Sequence, residues 1–357
     1  MRKRTVAALA LALLFVISAQ CPVGAQSAKA LIAEAAKAMG GMPALRALKN
    51  QSFESEGKQF NSSLALEPSQ EVRQISSFHY TLARDLNQPR LRLDWEGRGS
   101  ARTESVRFVE VIDGAVGFLQ EGDSKTAKQT RLHPGRLATR LRDEKRNAAR
   151  LMLVAAASKS LRRLADADLD GVKHRVVSFK ELGDEFQIYL DTKTGLPAQV
   201  DILEDDPLEG DSSYSLRYGD WRKIDGVLTP FSLRYQLNGR PLQEEQIQSV
   251  RYNVPLGAEL FLIPEIIRNQ KTDAKPIASQ WILRRVAGNV SYQDFGRPPV
   301  VEWSQLANGV YKIGGSSHAT VVIEMRDHVI AVEAPLYEAR TAPVVNSIKE
   351  HYPAKPI

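Results

Sequence analysis

The residues best suited to hold a metal ion are the six histidines, and their spacing decides whether they can act together. No two of them lie within four residues of each other. No H-x-H or H-x-x-x-H pair can therefore place two imidazoles on one ion from a single element. The histidines are His79, His133, His174, His318, His328 and His351. The sequence thus predicts no metal ligand, no cofactor-binding residue and no catalytic residue in this chain.

A Gly-Gly-Ser-Ser-His run at residues 314–318 resembles two chemical motifs only superficially. It lacks the lysine and the following helix of a phosphate-binding loop. It also lacks the G-x-S-x-G setting in which a serine becomes a nucleophile. We expect a hairpin turn here, with His318 and His328 as turn or surface residues.

The N-terminus has the pattern of a secretory signal peptide. Positive residues 2–4 precede an uncharged apolar run at residues 5–19, and small residues stand before a cleavage point after Ala25. The single cysteine, Cys21, follows Gln20 and not a small residue, which argues against lipoprotein anchoring. We therefore expect residues 1–25 to be removed and the protein to be exported across the inner membrane to the periplasm. The mature chain then has no disulfide and no thiolate.

Composition excludes one class of partner. The 357 residues are 43% hydrophobic and 25% charged, as in a soluble protein of about two domains. The chain has 48 basic and 42 acidic residues, and removing Arg2, Lys3 and Arg4 leaves 45 against 42. This charge is too small to indicate nucleic-acid binding.

The hydrophobic periodicity predicts two kinds of structure in the first 265 residues. Apolar residues at helical spacing predict a helix over residues 28–48, interrupted near residue 40. From residue 53, short alternating or apolar runs bounded by turn residues predict antiparallel strands up to residue 253. We expect an α+β fold, mostly antiparallel β, in which a curved half-barrel sheet wraps helices.

A helical insertion is predicted at residues 136–167, with leucine, alanine and methionine on one face. The other face is rich in arginine: Arg136, Arg140, Arg142, Arg146, Arg150, Arg162 and Arg163. One interpretation is a solvated helix face. A second is contact with an anionic membrane surface or an acidic partner.

The last part of the chain has a separate pattern. Residues 266–302 contain scattered proline, glycine and asparagine, and we expect an ordered connector. Strands are then predicted at residues 309–313, 319–325 and 328–333, and a helix at residues 341–350.

Two turn-containing segments resemble lipoprotein-carrier (LolA/LolB-like) domains. They are Tyr-Leu-Asp-Thr-Lys-Thr-Gly-Leu-Pro at residues 189–197 and Tyr-Gly-Asp-Trp-Arg-Lys-Ile-Asp-Gly-Val-Leu-Thr-Pro at residues 218–230. The resemblance implies that residues 26–265 form a half-barrel sheet around helices. It also implies an apolar interior that binds lipid or another apolar small molecule.

The end of the chain resembles the metallo-β-lactamase superfamily. Residues 306–313, 320–325 and 329–335 are similar to its first strands, and Glu333 falls where the family places an aspartate that supports the metal site from outside. The family's H-x-H-x-D-H metal loop is not reached, so residues 303–357 would be the front of a truncated αββα fold. The resemblance therefore implies zinc only if a further C-terminal part exists.

Three functions follow as hypotheses. The first is the exported front portion of a metallo-β-lactamase-fold hydrolase, with a substrate- or lipid-recognition domain present and the zinc site absent. The alternative is a non-enzymatic periplasmic carrier of lipid or another apolar ligand. The third is an interaction domain of an envelope complex.

Overall fold

The computed structural model describes residues 26–61, 72–99, 105–122, 128–132, 134–206, 210–271, 278–280, 300–315, 318–333 and 338–357. The predicted signal peptide at residues 1–25, His133 and most of the predicted connector lie outside these ranges. Their predictions are therefore not tested by the structure.

The first half of the main sheet is a meander of six antiparallel strands. They are β1 (Asn50–Asn61), β2 (Arg73–Asp85), β3 (Arg90–Gly99), β4 (Ser105–Asp113), β5 (Val116–Glu121) and β6 (Lys128–Arg131). Buried and exposed side chains alternate along β2 and β3, as expected for strands with one face in a core.

The second half of the sheet is another meander. Its strands are β7 (Arg162–Arg163), β8 (Ala167–Leu169), β9 (Val172–Glu181), β10 (Asp184–Asp191), β11 (Pro197–Asp206), β12 (Gly210–Ile224), β13 (Val227–Leu237) and β14 (Arg240–Tyr252). The turn between β10 and β11 is fixed by Asp191, whose Oδ1 accepts from the backbone N–H groups of Lys193 and Thr194 at 2.8 and 2.7 Å. This confirms the strand–turn–strand element predicted at residues 189–197.

Strand β1 joins the two meanders by pairing with β14. The resulting order is β6-β5-β4-β3-β2-β1-β14-β13-β12-β11-β10-β9-β7, with β8 beside β9. All described pairs are antiparallel, and the sheet is curved and open. The predicted mostly antiparallel α+β fold is confirmed.

In the described part of the chain, four helices of six or more residues accompany this sheet. They are α1 (Ala28–Ala38), α2 (Met42–Ala47), α3 (Pro134–Glu144) and α4 (Ala148–Ala157). Ser27 begins α1, and its side-chain oxygen accepts from the N–H of Ala30 at 3.2 Å. Leu31, Ile32, Leu151 and Met152 are almost fully buried in one apolar core with the inward side chains of the strands. The helices thus lie on the wrapped face of the sheet.

A smaller cluster covers part of the opposite face. A short 3₁₀ helix, Ala258–Phe261, and helix α5 (Glu265–Arg268) follow β14. Phe261, Ile263 and Ile267 pack on Val111 and Phe118, whose side chains point away from the main core. Residues 258–268 therefore belong to the same folded unit as the sheet.

The prediction of one helical insertion over residues 136–167 is wrong. The segment forms α3 and α4, and then Arg162 and Arg163 pair with β9. Asn147 begins α4, because its Oδ1 accepts from the N–H of Arg150 at 3.2 Å.

The interpretation of its arginines as a solvated face is also wrong. Arg136 is 1% exposed, and Arg142 and Arg146 are each 2% exposed. All three contact carboxylates inside the protein, which is the condition under which a guanidinium can be buried. These three side chains cannot reach a membrane surface, while contact through Arg162 and Arg163 stays a prediction.

The C-terminal residues form a second, separate sheet. Its strands are β15 (Glu302–Ala307), β16 (Val310–Gly314), β17 (Thr320–Glu324) and β18 (Val329–Val332), followed by helix α6 (Glu338–His351). They pack around a core of Ile313, Val322, Val329, Val344, Ile348 and Tyr352. The predicted strands agree with β16, β17 and β18 and the predicted helix agrees with α6, whereas β15 was not predicted. No observation shows that the segment belongs to the metallo-β-lactamase superfamily. The described helices include none that is both long and apolar enough to cross a membrane.

Candidate binding cavity

A cavity of about 410 Å³ lies between the inner face of the main sheet and the junction of α3 and α4. The sheet supplies most of its apolar and aromatic lining: Phe53, Leu82, Leu93, Trp95, Phe108 and Ile247. Charged groups come mainly from the helical junction, with one each from β2 and β14: Arg84, Arg140, Asp143, Glu144, Arg146 and Glu245. The cavity therefore has an apolar sheet wall and a charged helical wall.

The apolar wall is built on a row of rings that crosses four strands. Tyr80 lies 5.6 Å from Phe53 and 6.0 Å from Phe78, and Trp95 lies 6.0 Å from Phe78 and 5.0 Å from Phe108, measured between ring centroids. Such spacing is favourable for aromatic pairs. The strand register places these residues side by side, so the wall follows directly from sheet pairing.

Two glycines make room for these rings. A Cβ atom at Gly97 would stand 2.1 Å from the indole of Trp95. A Cβ atom at Gly57 would stand 2.7 Å from the ring of Phe78 and 2.2 Å from the backbone oxygen of Glu244. The absence of a side chain thus allows close approach of ring and backbone at these positions.

A chain of polar groups connects the helical wall to the sheet. Asn147 donates to Oε1 of Gln51 at 3.1 Å, and Gln51 donates to the hydroxyl of Tyr252 at 3.2 Å. The Tyr252 hydroxyl is in turn 2.9 Å from Oγ1 of Thr229. These contacts fix the N-terminus of α4 against β1, β13 and β14.

Paired arginines hold α3 and α4 over the sheet. The fully buried Glu110 contacts Arg136 and Arg140, with distances of 3.0 and 2.7 Å to the two Nε atoms. Burial raises the pKa of Glu110, but the two positive charges and their hydrogen bonds outweigh burial and hold that pKa at about 2. Glu144 similarly contacts Arg84 at 3.0 Å and Arg150 at 3.3 Å.

Glu245 is the acidic group that strand β14 contributes to the lining of the cavity. Its Oε2 accepts from the Tyr80 hydroxyl at 2.6 Å, and Gln243 also donates to this carboxyl. Burial raises the pKa of Glu245, and the hydrogen bonds from Tyr80 and Gln243 offset only part of that effect. Glu245 therefore favours its neutral form more strongly than an ordinary glutamate does.

We predict that Glu245→Gln gains stability relative to the natural protein as pH rises. The folded protein holds the Glu245 proton more tightly than the unfolded chain. The stabilising contribution of the protonated Glu245 carboxyl is therefore complete below pH 4.5 and is lost as pH rises through the pKa that Glu245 has in the folded protein. Urea denaturation of the natural protein and of Glu245→Gln, from below pH 4.5 upward, measures the difference in their free energies of unfolding. A difference that stays constant with pH would contradict the raised pKa.

The described histidines have separate surroundings. His79 is exposed and lies 3.7 Å from Glu96, His174 contacts the carbonyl of Val172 at 2.8 Å, and His351 stacks on Trp303. No three described His, Cys, Asp or Glu residues are grouped so that they could hold a metal ion.

Glu333, the predicted metal-supporting position, is exposed at the end of β18, and its carbonyl accepts from Thr320 at 3.0 Å. Its role near a metal stays a prediction.

The lining residues of the cavity were not identified from sequence, although one signal was present. Glu110 interrupts the apolar run of β4 at an inward position, between Phe108 and Ile112. A charged residue at such a position requires a buried partner. The arginine-rich insertion was the available source of that partner.

The comparisons with known proteins find similarity to solved structures. No protein-family model matches the chain, and no curated protein matches it. A LolA superfamily protein from Nitrosomonas europaea is similar, with 10% identity, 67% of this chain and 99% of that chain covered, and a TM-score of 0.39.

An outer membrane lipoprotein-sorting protein domain from Vibrio parahaemolyticus is similar at 9% identity, over 60% of this chain and 89% of that one, with a TM-score of 0.36. LprF from Mycobacterium bovis is similar at 10% identity, over 64% and 94%, with a TM-score of 0.27. Likeness at this level assigns neither a ligand nor an activity to this chain.

Proposed function

We propose that this protein is a non-enzymatic carrier or binding protein that takes an apolar small molecule or lipid into the cavity between its sheet and helices. The observation that carries the proposal is the cavity itself, which is lined by Leu82, Leu93, Trp95 and Phe108. Its volume of about 410 Å³ is in the range of small-molecule sites, roughly 300–1,000 Å³.

The surroundings of the cavity favour binding over structural packing alone. Interiors of proteins are close-packed, and voids larger than a water molecule are few. Here ion pairs such as Glu110 with Arg136 help to hold α3 over the sheet, while apolar side chains of α4 such as Leu151 pack in the core, and the cavity between them stays open. An apolar ligand would supply the missing contacts to the aromatic wall.

We predict that filling the cavity weakens ligand binding. Leu93 is buried in the apolar wall, so Leu93→Trp places a larger ring in the ligand's space. We expect binding of 1-dodecanol, measured by calorimetric titration, to weaken about tenfold or more, since even one or two kcal/mol of lost contact has this effect.

Leu203→Trp is the matched control, because Leu203 is 58% exposed on β11 and does not line the cavity. Both variants are compared with the natural protein for thermal unfolding. Equal binding of dodecanol by the two folded variants, or no binding by the natural protein and no lipid recovered by extraction and mass spectrometry, would refute the proposal.

The hydrolase hypothesis stays a prediction that no finding supports. It places the zinc site outside this chain, so the described residues do not test it. Export to the periplasm likewise stays a prediction, because it depends on residues 1–25. Both are separable from the carrier function, which depends only on the described cavity.

A further inference from the structure

Arg146 is a buried cation with free hydrogen-bonding capacity at the wall of the cavity. Its side chain is 2% exposed and pairs with Asp143 through Nη2. In the part of the chain that the structure describes, neither its Nε nor its Nη1 has a hydrogen-bond partner. Its guanidinium carbon lies 5.4 Å from the ring centroid of Tyr235, which also lines the cavity.

Arg84 adds a second incompletely paired cation to the same wall. Its Nη1 donates to Glu144 at 3.1 Å, while its Nε has no partner among the described residues. Glu144 also contacts Arg150, so one carboxylate serves two guanidinium groups. Arg142, in contrast, contacts two carboxylates, those of Asp184 and Glu204, but it does not line the cavity. Arg84 therefore shares its carboxylate with another guanidinium group.

Leaving buried donors unpaired is unfavourable. A single unsatisfied buried group lowers the stability of a protein, and a charged one lowers it more. Arg84 and Arg146, which both line the cavity, together carry three such nitrogens. A ligand oxygen carrying negative charge would satisfy them, because a guanidinium binds carboxylate or phosphate oxygens through parallel hydrogen bonds.

The remaining acidic groups do not prevent this. Asp143 is already engaged by Arg146 and by the side-chain amide of Gln280, the latter at 2.8 Å. Burial raises the pKa of Glu245, which reduces its negative charge. The nearby aromatic wall accommodates an apolar chain.

We propose that the cavity binds an amphiphile with an anionic head, a carboxylate or a phosphate, which Arg146 and Arg84 hold while the apolar chain lies against the sheet wall. This inference rests on the proposed carrier function and names the class of its ligand. It makes the head group, and not only the chain, a determinant of affinity.

The test compares ligands that share a chain and differ in the head. Calorimetric titration of the full chain uses dodecanoate, dodecyl phosphate, 1-dodecanol and methyl dodecanoate at the same pH and salt. We expect at least one of the two anions to bind about tenfold or more tightly than both neutral compounds, as charge-assisted hydrogen bonds predict. The preferred anion identifies the head group.

The variant that tests the residue is Asp143→Asn combined with Arg146→Gln. Removing both partners avoids leaving Asp143 unpaired. We expect this double variant to lose the preference for the anion and to keep its affinity for dodecanol. Arg146→Lys, which keeps the charge without the planar fork, should retain only part of the preference.

Asp220→Asn with Arg222→Gln is the matched control, since this exposed pair on β12 does not line the cavity. If the natural protein binds all four compounds equally, or if the Arg146 and control variants behave alike, the head-group inference is wrong and the carrier proposal stands. If none of the four compounds binds, the carrier proposal itself fails.

Discussion

Replacing Glu110 with glutamine is expected to lower the free energy of unfolding by about 3–5 kcal/mol, the usual cost of breaking a buried ion pair from one side. Glu110 is fully buried on β4, and it is the shared partner of Arg136 and Arg140. Without its charge, Arg136, which is 1% exposed, loses the carboxylate that it contacts. Urea denaturation followed by circular dichroism measures the loss.

Glu244→Gln is the control for this prediction. Glu244 also lies in the main sheet and pairs with an arginine, Arg234, at 3.0 Å, but both side chains are about half exposed, at 42% and 52%. An exposed pair contributes about 0–1 kcal/mol. Similar losses in free energy of unfolding in the two variants would show that burial does not determine how much Glu110 and its two arginines stabilise the protein.

The Glu110 variant should also change the response to acid. The folded pKa of Glu110 is about 2, below its ordinary value of 4.5, so the unfolded chain binds this proton more tightly. The stabilisation is therefore present above pH 4.5 and is lost as pH falls through about 2; the shift corresponds to about 3 kcal/mol. The stability difference between the natural protein and Glu110→Gln should shrink over this interval, and a constant difference would argue against the assignment.

The second large effect is expected at Gly57. Gly57→Ala should lower the free energy of unfolding by about 3 kcal/mol, as overpacking of a well-ordered site does. The new Cβ would lie 2.2 Å from the backbone oxygen of Glu244 on the paired strand and 2.7 Å from the ring of Phe78. Neither neighbour can move without disturbing β14 or the aromatic row. Thermal and urea unfolding of the purified variant measure the change.

Gly219→Ala separates this contact from the general effect of alanine in a strand. Gly219 lies in β12, and its nearest neighbour to a new Cβ is the Cβ of Ser232 at 3.5 Å, an ordinary contact. We expect this variant to be unchanged or more stable by about 0.5 kcal/mol, because alanine loses less backbone entropy than glycine. Equal destabilisation at both positions would contradict the steric explanation.

The strands and their turns could be predicted from sequence because their signals are local. Asp225-Gly226 and Asn238-Gly239 punctuate the meander, and the structure has positive backbone φ angles at all four residues. Alternation of apolar and polar residues then assigns one face of each strand to the core. Curvature around helices followed from the same pattern and from the resemblance to carrier domains.

The arginine-rich segment could not be interpreted in the same way. Helical periodicity treats arginine as a surface residue, because a charged side chain is rarely buried without a partner. The partners of Arg136 and Arg142 are Glu110, Asp184 and Glu204, which come from distant strands. Which charges meet is decided by the register of a sheet and the position of a helix, and neither is a local property of the sequence.

The cavity was also beyond sequence analysis, although its existence was implied by resemblance. The lining residues are ordinary core types such as Leu82 and Ile247, whose pattern is the same whether the space between them is filled or empty. Only the placement of α3 and α4 leaves the volume open.

The pairing of β1 with β14 has a consequence for how the chain folds. Residues in contact across this pair, such as Gln51 and Tyr252, are 201 positions apart, while the other neighbouring strands of each meander are close in sequence. Each meander can therefore form by local contacts, and closing the long loop between β1 and β14 is the slow, entropically costly step. Until that step, β1 presents an unpaired edge to the solvent, where intermolecular strand pairing and aggregation begin. The pairing of β1 with β14 thus sets both the folding rate and the time during which the incompletely folded chain can aggregate.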